Sequence, residues 1–503
     1  MAEKTLPSSS SSSSSSPSTT LSPWKVLAIL SSIAVVAVYA ETMLLPAIPD
    51  LIDEFGISYS TSSWILSSFL IVGAISVPVV GRLSDMYGRK KMLMIVMGIY
   101  AAGVLAGGFA TDIYTMVAAR SVQGIGISFF PIVFGIVRDR FPREKLAIAQ
   151  GTLISMFAFG AVIGLMAGGT ITNSFGWRAT FYPVAPVVVA LIVVIARLVR
   201  VADEPAEKSR IDIAGIAALA ATVILLLSAL NFVQAGTEND GGDGNSNSTD
   251  GARLLPLLPA AFFAGGLASL AVFILVERRS SAPLVDLKLM SFRPILLSNV
   301  IAIIIGLSMF AVFQTVPVLV RSPGPSGFGG TAADAAHVQL PFSIVALAFG
   351  PTSGYIISRM GAPRVAIAGA AIALAGFAGM LFFHGAPVQL AAGLAIIATG
   401  LSLTDVGQIN MNTMATPPKH MGVSFGMNTL FRLAGASVGP AVAGMFMQAG
   451  QVTIGGASFP APAQYTSIFL FVSALAVALV ALAFALRRAI SRIEPAAAAA
   501  QFK

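Results

Sequence analysis

Four ionisable residues stand inside long apolar runs, and their types bound the chemistry available to this chain. They are Glu41 in "AVVAVYAETMLLP", Arg120 in "VAARSVQGIGIS", Asp405 in "LSLTDVGQINMN" and Arg432 in "NTLFRLAGASVGP". A charge in mid-bilayer costs ~2.5–3.5 kcal/mol on insertion scales, so such residues usually face a cavity and carry a function. Glu41, set among Ala37, Val38, Leu44 and Leu45, is expected to bind a proton or a cationic cargo. Arg120 begins a small, polar helix face with Gln123, Gly124 and Ser128, and is expected to stabilise the charged form of Glu41. The alternative is a permanent Glu41–Arg120 structural pair. Asp405 is either a second protonation site or the start of a loop. Arg432 lies deeper, but its long side chain could also reach the interface. Gln123, Phe310, Phe313, Gln314 and Arg432 are candidates for pocket lining; for the two phenylalanines the other reading is lipid contact or packing.

Other chemistries find no residues. The chain has no Cys and three His (His337, His384 and His420), with no metal-ligand cluster, phosphate-cradling lysine loop or hydrolytic triad. No cofactor and no enzymatic activity are therefore expected, and energy must come from an ion gradient.

The elements that hold these residues are membrane spans. Hydrophobic residues make up 56% of 503 positions and charged residues only 10%, whereas about a quarter of a soluble domain is charged. The class is an all-α polytopic membrane protein. Fourteen runs have roughly the 20 residues needed to cross ~30 Å of hydrocarbon. They fall at 24–49, 61–83, 92–110, 113–137, 146–171, 178–199, 212–235, 254–276, 295–320, 337–358, 364–384, 387–412, 422–447 and 465–486. Before them, residues 1–23 form a Ser-rich tail expected to be disordered. A six-span half covers 24–199, linkers with two extra spans cover 200–294, a second half covers 295–486, and a tail covers 487–503.

Of the 30 Lys and Arg, three (Arg178, Arg253, Arg321) fall on one side and two (Arg120, Arg432) within spans. The rest share the side of both termini, which the positive-inside rule makes cytoplasmic. The net charge of +8 is thus a matter of topology, not of nucleic-acid binding. The expected partners are the bilayer, protons and a small molecule. The opposite loops are acidic or uncharged, and one carries a glycosylation sequon at Asn247.

An internal repeat is visible too. "GRLSDMYGRKKML" after the second span sets Gly81 and Gly88 seven apart, and "GYIISRMGAPR" after the tenth sets Gly354 and Gly361 at the same separation. Two related halves with a site between them are how many secondary transporters are built.

These residues carry a family resemblance. Gly81, Asp85, Gly88, Arg89 and Lys90 resemble the loop signature between the second and third helices of the major facilitator superfamily. "RSVQGIG" is similar to its fourth-helix motif, while "GWRATFY" and "ERRSSAPLVDLKLM" resemble its fourteen-span drug:proton antiporter branch. Two positions depart from that branch. In "GAVIGLMAGG", Gly160, Gly164, Gly168 and Gly169 are in place but Leu165 replaces the proline; Gly439-Pro440 keeps it in the thirteenth span. Glu41-Thr42 stands where Asp-Thr is usual. The glycines at every fourth position read most simply as helix packing.

The resemblance implies the major facilitator fold, two six-helix halves plus two inserted central helices. It also implies a proton-coupled carrier, most simply a multidrug exporter working by antiport in the plasma membrane as a monomer. It further implies that Asp85 pairs with Arg138 or Arg140 and faces the start of the thirteenth helix as a gate; for Arg89 the other reading is a topology anchor. A carrier of one specific metabolite is the alternative. A membrane sensor, a third reading, would normally carry a sizeable soluble domain, and the tails here are about twenty residues.

Overall fold

A computed structural model describes residues 22–198, 212–238, 257–280, 287–416 and 421–492. The tail 1–21, the linker 199–211, the acidic loop 239–256 with Asn247, the segments 281–286 and 417–420 and the tail 493–503 lie outside the described residues, as does the side chain of Asp85.

The described residues form a bundle of membrane crossings. The first is α1 (Pro23–Thr42), a 3-10 turn (Leu45–Ala47) and α2 (Ile48–Phe55). Then come α3 (Tyr59–Tyr87), α4 (Arg89–Gly108), and a fourth crossing made of α5 (Ile113–Gly124), a 3-10 turn (Ile125–Ser128) and α6 (Phe129–Arg140). The half closes with α7 (Arg143–Phe175) and α8 (Val184–Leu198). The inserted pair is α9 (Ile213–Glu238) and α10 (Leu257–Arg279), followed by a single turn, α11 (Leu287–Met290). The second half is α12 (Arg293–Arg321), α13 (Ala332–Met360), α14 (Ala362–Phe382), α15 (Pro387–Ala415), α16 (Met421–Gln448) and α17 (Pro462–Ser491). Among the described residues thirteen crossings are long and apolar enough to span a bilayer; in α9 the apolar stretch is the shorter Ala214–Leu226. α1 starts and α17 ends on one face, here the terminal face; the other is the distal face.

Helix ends follow local chemistry. Ser58 caps α3 by accepting from the Thr61 backbone N–H at 3.1 Å. Asp112–Thr115 and Thr331–Asp334 form reciprocal capping boxes at α5 and α13, each satisfying donors that a helix start leaves open. Hydrogen bonds to the exposed Asp112 carboxylate, first from the Thr115 backbone, hold it below the usual aspartate range. The repeat is visible as geometry. Gly88 (φ 95°) joins α3 to α4, and Gly361 (φ 79°) joins α13 to α14, a backbone region that only glycine enters freely. Gly81 is different: a Cβ there would meet Pro131 at an ordinary 3.6 Å, so it has no close approach to permit. On the distal face "QVTIGGASFP" forms a hairpin, Gln451–Ile454 paired with Ala457–Pro460. Gly455 and Gly456 both have positive φ, as a two-residue hairpin turn requires.

The helices are apolar on nearly all sides, so small residues decide how they pack. On α7, a Cβ at Gly160 or Gly164 would strike the backbone of α1 at Val35 and Tyr39, and one at Gly168 the backbone of Met43 just past its end. On α16, Gly435 and Gly439 lie in the same way against Ile303 and Leu307 of α12. The two halves thus reuse one contact. Gly169 instead touches Ala332 and Ala336 of α13, across the seam between the halves. Pro440 lies inside α16, one turn past Ala436.

Each half has its own apolar core, but near the distal face Leu45, Ile48, Ile52, Tyr59, Leu66 and Leu165 of the first half join the core of the second. The inserted pair covers the α3–α16 seam: Ala218 and Phe273 pack with Phe69, Leu70, Val77 and Met427.

Candidate functional site

Where the halves meet, the bundle encloses a cavity of about 220 Å³. Val38, Glu41 and Thr42 enter it from α1, Phe130 from α6, Phe157 from α7, Phe310 and Phe313 from α12, Phe342 from α13, and Thr429 and Arg432 from α16. Glu41 and Arg432 are the two charged residues of this lining. The phenylalanines form two clusters. Phe130 stacks on Phe157 with ring centres 3.5 Å apart; Phe313 meets Phe342 edge-on at 4.8 Å and Phe310 at 5.8 Å. The site therefore offers one acid, one base and a broad aromatic surface.

Glu41 is placed by the end of α1. Three residues after Thr42 the chain tightens into a 3-10 turn, and the Tyr39 hydroxyl donates to the Thr180 carbonyl at 3.2 Å. Gly164 and Gly168 let α7 close on this turn. Glu41 is half-buried, and among the described residues no ion pair holds it.

Arg120 is fully buried and does not line the cavity. Its Nη1 donates to the Ala40 carbonyl at 2.7 Å and to Gln123 Oε1 at 2.8 Å, and its Nε to the Ile65 carbonyl at 3.2 Å. The guanidinium lies 4.3 Å over the Phe69 ring. Arg120 thus joins α1, α3 and α5, one residue away from Glu41 along the backbone. The alternative of a permanent Glu41–Arg120 ion pair is not seen among the described residues: Nη1 and Nε go to carbonyls and Gln123, and Nη2 is buried without a hydrogen-bond partner.

Other expectations are also redrawn. Gln123 donates to the Gly103 carbonyl at 3.0 Å, and Gln314 donates to Ser62 Oγ at 3.1 Å across the seam; neither lines the cavity. Asp405 is not the start of a loop, since α15 continues to Ala415. It accepts from Gln408 Nε2 at 3.0 Å, in a buried polar network that continues through Asn428 and Ser298 away from the cavity. Phe310, Phe313 and Arg432 do line it.

On the terminal face, Arg89 pairs with Asp139 of α6 and donates to the Gly135 carbonyl at 2.6 Å. Arg138 reaches the same Asp139 at 3.7 Å, and Arg140 ends the helix. Asp139 was not singled out from the sequence, and its place as partner of both arginines is legible only in three dimensions.

Three further groups were missed. Phe130, Phe157 and Phe342 gave no signal, since a lone Phe in an apolar helix reads the same whichever way it faces. Asp50 pairs with Arg321 across the seam at the distal face, with Nη2–Oδ1 at 2.5 Å. Glu54 accepts from Trp177 Nε1 at 2.6 Å and pairs with Arg178, so the "GWRATFY" segment clasps the end of the first crossing. An acidic loop facing isolated arginines was the available signal for both pairs.

Comparison with known proteins agrees with this architecture. Residues 30–336 match the family model of the Major Facilitator Superfamily. The chain is 25% identical over 350 residues to the uncharacterized MFS-type transporter YhcA of Bacillus subtilis, covering 69% of this chain and 62% of that one. It therefore spans less than two thirds of that relative's length. It is also 25% identical to the multidrug transporter protein MdtP of the same organism, over 81% of this chain and 72% of MdtP. The solved structure of the nucleoside transporter NupG superposes with a TM-score of 0.61 at 13% identity, covering 92% of this chain and 99% of that one. A repeated pair of six-helix halves, a cavity on their seam and a family match across most of the chain lead to one assignment: this multi-pass membrane protein belongs to the Major Facilitator Superfamily.

Proposed function

We propose that the protein is a proton-coupled secondary transporter that exports amphipathic or cationic small molecules by antiport. The observation that carries this reading is the seam cavity, in which Glu41 and Arg432 are the charged lining residues beside five phenylalanines. Aromatic faces take up varied apolar bodies and attract cations, and a carboxylate can hold either a proton or a cationic group. The similarity to MdtP, a multidrug transporter protein, supports the same class of cargo. At about 220 Å³ the cavity is below the roughly 300–1,000 Å³ of drug-sized sites. A larger cargo thus requires the halves to part, which alternating access supplies. The energy source is the proton gradient, where each charge crossing 100 mV releases about 2.3 kcal/mol. The working unit is a monomer, since both charged groups and all the rings come from one chain.

Purified protein in proteoliposomes should release protons when lipophilic cations are added, and unrelated cations should compete with one another. A small cavity with one acid and one base also suits a single zwitterionic metabolite. In that case competition is confined to close analogues, and the multidrug reading falls.

The terminal face is proposed to be cytoplasmic and the membrane the plasma membrane, from the distribution of Lys and Arg. In this orientation Asp85 and the Arg89–Asp139 contact form the cytoplasmic gate, while Asp50–Arg321 closes the outer side. Because the chain has no Cys, single cysteines test the orientation directly. In sealed, right-side-out cells an impermeant thiol reagent should label Asp243→Cys and spare Ser84→Cys. Labelling of Ser84→Cys reverses the topology.

A further inference from the structure

A second concavity, of about 200 Å³, lies on the terminal face between the start of α12 and the end of α17. Its lining is Phe292, Arg293, Pro294, Arg488, Ala489 and Arg492: three guanidinium groups and no acid. None of the three arginines forms an ion pair among the described residues. Arg293 is also placed against its own helix dipole, at the first position of α12, where the first turn holds no acidic residue. A helix start favours anions, so Arg293 adds positive charge to an already positive end. The last carbonyls of α17 offset part of this at Arg488 and Arg492, but neutralise none of the three charges.

The surface leading into this pocket is apolar and faces outward. Leu470, Val477 and Phe484 are exposed on α17, with Ala474 and Ala481 between them. Steps of four and three residues hold all five on one helix face, and the next step along it is Arg488. On α12, Leu296 is 41% exposed and Phe292 39%, beside Arg293. A lipid-facing stripe thus ends in a cluster of guanidinium groups at the level where the spans end. Positive-inside anchoring explains scattered basic residues at such a level, but not three from two helices around one concavity.

We propose that this pocket binds the phosphate headgroup of an anionic phospholipid, with an acyl chain lying along the Phe484–Val477 stripe. Guanidinium forks match phosphate oxygens, and a free phosphate would use the same arginines without the stripe. The occupant named here is the lipid, because the apolar approach continues directly into the charged pocket.

The test is native mass spectrometry of the full-length protein in mixed micelles with equal phosphatidylglycerol and phosphatidylcholine. The wild type should retain phosphatidylglycerol preferentially. Each basic residue contributes about fivefold to such binding, so Arg293→Gln alone should lower retention by about that factor, and combined Arg293→Gln, Arg488→Gln and Arg492→Gln by about a hundredfold. Phosphatidylcholine retention should not change, which also reports that the variant is folded. Excess inorganic phosphate should leave the lipid bound. Unchanged phosphatidylglycerol retention in the triple variant overturns the proposal. So does an equal loss in Arg359→Gln/Arg364→Gln, which removes two arginines elsewhere on the same face, because the effect would then be general surface charge. Displacement of the lipid by inorganic phosphate overturns the lipid assignment in favour of a free-anion site.

Discussion

Glu41→Gln is expected to abolish proton release on cargo addition and to end uphill accumulation of cations in proteoliposomes. The reason lies in charge balance. With Glu41 ionised and Arg432 charged, the cavity lining is neutral overall. Either a proton on Glu41 or a cationic cargo brings the site to +1, and both together would bring it to +2. A confined charge without a partner costs several kcal/mol, so the two exclude each other and their fluxes are exchanged. In Glu41→Gln the site is fixed at +1 by Arg432, cations bind about tenfold or more weakly, and neutral cargo is affected much less. Glu41→Asp should keep coupling, since the carboxylate is preserved. Arg432→Gln should act oppositely on binding, strengthening cations while leaving the carboxylate to titrate. Were purified Glu41→Gln protein to accumulate a cation against its gradient under an imposed pH difference, Glu41 would not be the carrier. Asp405 would then be next, despite lying outside the cavity.

Arg120→Gln is expected to damage the fold more than the chemistry. The guanidinium supplies three hydrogen bonds, to the Ala40 and Ile65 carbonyls and to Gln123, all fully buried. Hydrogen bonds to a charged group are worth ~1.5–3 kcal/mol each, and buried acceptors left unpaired add to the loss. Even with partial recovery by the new amide, a net loss of about 3 kcal/mol or more follows. Arg120→Lys keeps the charge but not the planar fork, and should fall between. The measurement is thermal melting of purified protein in one detergent. Arg120→Gln should melt several degrees below wild type, whereas Glu41→Gln, which loses no described hydrogen bond, should melt close to it. If Arg120→Gln melts with the wild type but loses coupling, the role of Arg120 is electrostatic and the structural account fails.

The polytopic helical class, the terminal face shared by both ends and the repeated glycine junctions were determined by the sequence itself. Hydrocarbon imposes a length of about 20 residues on every span and leaves no freedom in how backbone groups are satisfied. Gly88 and Gly361 were legible for a similar reason, because a positive φ selects glycine at a tight junction. The α7 glycines were legible as packing, since lipid-embedded helices approach closely only through small residues.

The site was different. Arg120 and Arg432 read alike, as single arginines in apolar spans, yet one ties three helices together and the other faces the cavity. Gln123 and Gln314 looked like lining and serve as contacts between helices. Phe342 lines the cavity while Phe484 faces outward, with nothing in either neighbourhood to separate them. In a soluble protein the polar side of a helix reveals which way it faces. Here the lipid side is as apolar as the core, so facing is decided only when α1, α7, α12, α13 and α16, far apart in the chain, close around one space.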